Sequence, residues 1–73
     1  MQATVWHQMA HVFDEEAEIL NFQAGELLRI TDMHAEEIAV PLLELIQTEI
    51  DAHRKLADQR KRLAELVREI AQQ

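Results

Sequence analysis

The sequence predicts an all-α protein, a helical hairpin that joins other copies in a coiled-coil-like oligomeric bundle. Three observations predict it. Apolar residues recur at intervals of seven over nearly the whole chain, which places them on single stripes of a helix. Only one glycine and one proline occur, too few for the turns of a sheet protein. The chain weighs 8.5 kDa and has no cysteine, so no disulfide or thiolate metal site braces a core of marginal size. Association with further helices is the common remaining solution.

The first helix is predicted over residues 4–22. Three heptad lines run along it: Ala3-Ala10-Ala17-Ala24, Trp6-Phe13-Leu20-Leu27 and Val5-Val12-Ile19. The alanine line predicts close approach of a neighbouring helix, because small side chains let helix axes come near the low end of the usual 8–10 Å. Thr4 stands where its hydroxyl would accept an early backbone N–H as an N-cap. Gly25 predicts a turn over residues 23–26, since glycine enters left-handed conformations without a Cβ clash. The heptad line also jumps there, from Leu20 and Leu27 to Leu28 and Ala35.

The second helix is predicted from Glu26, an acid suited to the positive end of the helix dipole, to about residue 71. Its line is Leu28-Ala35-Leu42-Glu49-Leu56-Leu63-Ile70. Pro41 falls inside it. Proline removes an intrahelical hydrogen bond and clashes with the carbonyl four residues back, yet no Gly, Asn, Asp or Ser flanks it to build a loop. One long helix kinked at Pro41 is therefore favoured over a three-helix bundle with Pro41 opening the third helix. A straight run of that length spans roughly 70 Å, and a first helix half as long covers only its beginning. The stripe Ile50, Leu56, Leu63, Leu66 and Ile70 then lacks a partner within the chain. It is the predicted interface of a homo-oligomer, a dimer or tetramer.

Charge narrows the function. The formal charge is −7, all of it in residues 1–37, where eight acids face Arg29 alone; residues 38–73 balance six acids against six bases. Nucleic acid is disfavoured as a direct partner, because phosphates are neutralised by clusters of Lys and Arg. Arg60-Lys61-Arg62 is short and matched by Asp58 and Glu65. No basic start precedes an apolar run, and no stretch approaches the roughly 20 apolar residues that span a bilayer. A cytoplasmic protein without membrane contact is expected.

Chemistry-bearing patterns are few. His7, His11 and Glu15 stand one helical turn apart and form a candidate zinc face, though the glutamate that follows the first histidine in the metalloprotease pattern is missing. The alternative is a solvated polar face opposite Trp6 and Phe13. No histidine follows an acid at the three-residue spacing of di-metal bundles. Serine is absent and no glycine-rich phosphate loop exists. No enzyme and no cofactor are expected. Glu49 interrupts the second-helix line, with Gln59 on the neighbouring one; such a polar residue either fixes register or lies at a wet exit beside His53.

The expected function is therefore a small interaction or structural protein that self-associates and offers an acidic face to a protein partner. The segment Phe22-Gln23-Ala24-Gly25-Glu26, followed by Leu27, Leu28 and Ile30, resembles the hairpin turn of flagellar and type III secretion chaperones. That resemblance implies an export or assembly chaperone as the alternative and carries over no site residues. A third reading is an acidic decoy that blocks a nucleic-acid-binding protein, which requires acids spaced like phosphates.

Overall fold

The computed structural model describes the backbone of residues 2–73 and the side chains from residue 4 onward. Two helices fold back on one another: α1 (Gln2–Met33) and α2 (Val40–Ala71), each of 32 residues. The hairpin measures 54 × 14 × 11 Å between Cα atoms. Neither helix is long and apolar enough to cross a membrane.

The chain reverses at residues 34–39, not at Gly25. Gly25 is helical, with no positive φ, and α1 continues to Met33. A glycine inside a helix costs about 1 kcal/mol relative to alanine. Burial on either side of it outweighs that cost. The line Ala10-Ala17-Ala24 extends without a break to Thr31, all four buried, and Leu27 and Leu28 are half-buried beside them. Thr31 can occupy the seam because its hydroxyl donates within the helix, 2.9 Å from the carbonyl oxygens of both Leu27 and Leu28. Thr4 is likewise no cap, since α1 already begins at Gln2. Ala3, the first member of the alanine line, lies outside the described side chains.

Pro41 does not kink a long helix. It sits in the first turn of α2, where its missing N–H has no intrahelical acceptor to lose. The carbonyl four residues back belongs to Glu37, in the turn rather than in a helix. Ala39 is the N-cap, extended at φ −61° and ψ 141°, and its carbonyl accepts from the N–H groups of Leu42 and Leu43, both at 3.0 Å. The turn is otherwise closed by His34 N–H to Ile30 O and Glu37 N–H to His34 O. No described residue outside glycine has a positive φ, so this reversal forms without Gly, Asn or Asp. The short and long helices expected from sequence are therefore two equal ones, and a third helix is not formed among the described residues.

The seam on α2 also differs from the expected line. Ile50, Ala57 and Ala64 are fully buried and Val67 nearly so, while Leu43, Ile46, His53 and Arg60 are half-buried. At the open end Ala10, Ala64 and Val67 form a cluster covered by Trp6 and Phe13. Small residues meet along both helices, so the axes can approach closely. The line through Leu42, Leu56, Leu63 and Ile70 lies one residue earlier, about 100° around the helix, and is exposed.

Candidate interaction face

Taking Ala10, Ala17 and Ala24 on α1 and Ile50, Ala57 and Ala64 on α2 as the seam, each helix has two flanks. A two-fold axis normal to the hairpin plane relates antiparallel helices and leaves front as front. Residues four after the seam positions therefore share one side, and residues one before or two after them share the other. The ion pair between Arg68 and Asp14, each four residues after a seam alanine, joins the two helices on the first side. That flank is mainly polar: His7, Asp14 and Asn21 on α1, with half-buried Leu28 the exception, and Gln47, Arg54, Lys61 and Arg68 on α2.

The opposite flank is apolar on both helices. On α1 it carries Val5, Met9, Val12, Ile19, Ile30 and Met33, every one exposed. On α2 it carries Leu42, Leu45, Leu56, Leu63, Leu66 and Ile70, also exposed. Of the interface residues expected from sequence, Leu56, Leu63, Leu66 and Ile70 thus lie on this face. Ile50 does not: it has no exposed surface and sits in the seam between the helices, because α1 is long enough to cover it. The α1 half of the face was signalled by the line Val5-Val12-Ile19, whose continuation past Gly25 through Glu26 to Met33 the expected turn obscured.

Stepping both ways from the Ala10–Ala64 contact brings matching residues to the same level within one residue, about 1.5 Å. Val5 is level with Ile70, Met9 with Leu66, Val12 with Leu63 and Ile19 with Leu56; nearer the turn, Ile30 is level with Leu45 and Met33 with Leu42. Polar residues coincide as well. Glu16 is level with Gln59, Gln23 with Ala52 and Glu26 with Glu49. Arg60 Nε donates to Glu16 Oε2 at 2.7 Å across the helices. Glu26 is turned aside by Arg29, whose Nη2 donates to Oε2 at 2.8 Å; the guanidinium holds the Glu26 carboxyl below its ordinary range, and the carboxylate raises Arg29 in turn. The apolar face is therefore banded.

The other candidates are dispersed. His11 Nε2 lies 2.6 Å from Glu15 Oε1 on the exposed side of α1, with His7 exposed one turn earlier. Among the described residues no group of three or more His, Asp or Glu is placed to hold a metal ion. His53 is half-buried in the seam and its Nδ1 lies 2.7 Å from the Glu49 carbonyl oxygen; Glu49 itself is exposed, as is Gln59. A crease of about 260 Å³ at the turn is lined by Asp32, Met33, His34, Ala35, Glu36 and Glu37. It is open, and all its lining comes from one short stretch of chain. Phe22 is exposed on the outer side of α1, away from both seam and apolar face.

No known protein family, curated protein or solved structure matches this chain.

Proposed function

We propose that this chain is a non-enzymatic helical interaction protein that self-associates through the banded apolar face and binds a further protein through the outer side of α1. The observation that carries the reading is the coincidence of two apolar stripes on one side of the hairpin, with their polar interruptions at the same levels. Single exposed apolar residues are ordinary on protein surfaces; apolar bands that line up across two helices mark an interaction surface. The side of the hairpin that carries these bands spans about 54 Å by 14 Å at the Cα atoms, so a partner covering that whole side, polar levels included, would have a footprint comparable with the roughly 800 Å² per partner of a standard interface. The outer side of α1 would stay uncovered in such an assembly and carries Glu15, Glu18 and exposed Phe22, an acidic surface with one aromatic anchor of the kind that dominates binding energy.

The test is the mass in solution by light scattering, with Leu63→Glu as the variant. The expected result is a multiple of 8.5 kDa, a melting temperature that rises with concentration, and dissociation of Leu63→Glu. A monomer at micromolar concentration would sink self-association. It would favour the second reading, in which the same exposed face is kept open for a client, as in a small export or assembly chaperone. The acidic-decoy reading is weakened by the pairing of Asp14 with Arg68 and Glu16 with Arg60, which breaks up the densest run of acids.

A further inference from the structure

Resting on that self-association, we propose that the occupant of the apolar face is one second copy of this chain, packed face to face with its turn at the opposite end. The product is a four-helix dimer in which Ile19 and Leu56 each lie against their own counterparts at the two-fold axis.

Two face-to-face arrangements close on two-fold symmetry. With both turns at one end, α1 lies over α2 of the second copy and each level meets itself. All apolar levels then match, but Glu26 and Glu49 of both copies converge as four carboxylates at one level. With turns at opposite ends, α1 lies over α1 and α2 over α2, both antiparallel. The end levels still meet apolar on apolar, Leu42 against Ile70 and Leu45 against Leu66. The level of Ile19 and Leu56 lies midway along the face and meets itself. Glu16 and Gln59 fall opposite the Gln23 and Ala52 level, where amide and carboxylate can hydrogen-bond.

Charge decides between them. Residues 20–54, the half of the hairpin holding the turn, carry seven acids and two bases, a charge of −5, and the remaining half carries −2. Turns together would press the two −5 halves against each other. Turns apart set each −5 half against the half containing Lys55, Arg60, Lys61, Arg62 and Arg68. Within a Debye length of about 8–10 Å these charges are felt. Glu49 then comes beside Leu63 of the second copy, whose sequence neighbours include Arg60 and Arg62. Glu26, paired with Arg29, comes beside Val12 of the second copy.

The chain lacks cysteine, so single-cysteine variants report on proximity without background. A disulfide requires Cα atoms about 4.4–6.8 Å apart, which selects for residues near the axis. Ile19→Cys and Leu56→Cys should each cross-link to itself under mild oxidation, giving a covalent dimer on a non-reducing denaturing gel. Phe22→Cys, exposed but off the face, should not. If neither face variant cross-links alone, but an equimolar mixture of the two does, the turns lie together and the proposal is overturned. Light scattering of the unaltered chain separates this failure from the other: a two-chain mass with the wrong cross-links removes only the arrangement, whereas a one-chain mass removes self-association itself.

Discussion

Ala10 on α1 and Ala64 on α2, neither with any exposed surface, pack together at the open end of the hairpin between Trp6, Phe13 and Val67. Two methyl groups at the point of contact leave the flanking larger side chains to close over a narrow seam. The helices are therefore held by shape at least as much as by apolar area, which makes the seam sensitive to added volume.

Ala17→Leu should accordingly destabilise the fold by about 1–3 kcal/mol, because the extra methylenes have no void to enter. Thermal unfolding followed by circular dichroism would register a drop of several degrees or more, at roughly 4–8 °C per kcal/mol for a domain of this size. An unchanged midpoint would show that the seam opens without cost.

Gly25→Ala should do the reverse. A Cβ placed on Gly25 meets nothing within 4 Å, and the residue is helical without a positive φ. The substitution removes glycine's conformational penalty and should stabilise by about 1 kcal/mol in urea unfolding. Destabilisation would place a turn at Gly25 after all.

The start of α2 lacks a side-chain cap, since Ala39 holds the extended N-cap conformation with no hydroxyl or carboxylate to offer. Pro41 has no N–H and the Leu42 N–H already reaches the Ala39 carbonyl, so Ala39→Ser can only share the Leu42 N–H and should gain about 0.5 kcal/mol, the low end for a cap. The comparison to make is the unfolding midpoint of Ala39→Ser against Ala39→Val, which offers no acceptor and should not gain.

Glu26 gives the acid limb of stability a defined sign. Arg29 lowers its folded carboxyl below the ordinary value of 4.5, so the pair stabilises the fold above that value, and the contribution is lost as pH falls through the lowered one. The carboxylate is solvent-facing, so the effect is small and salt-sensitive. Arg29→Gln should lose stability at pH 7 relative to the parent and converge with it at low pH; equal offsets at both would remove Glu26 from the acid transition.

The sequence by itself determined the helical class, the hairpin, and the burial of Ala10, Ala17 and Ala24. These follow from seven-residue spacing, a local property that is present before any tertiary contact forms. Tertiary structure decided where the chain reverses and which line of α2 faces α1. Gly25 and Pro41 each carry a local signal for a break, but a helical glycine costs only about 1 kcal/mol, which burial along α1 recovers, while a proline in a first turn costs almost nothing. On α2 two heptad lines one residue apart are both largely apolar, and periodicity ranks them equally. The alanines of α1 separate them: a closely approaching helix fits Ala57 and Ala64 against it, and the leucine line, too bulky for that gap, is turned outward to become the apolar face.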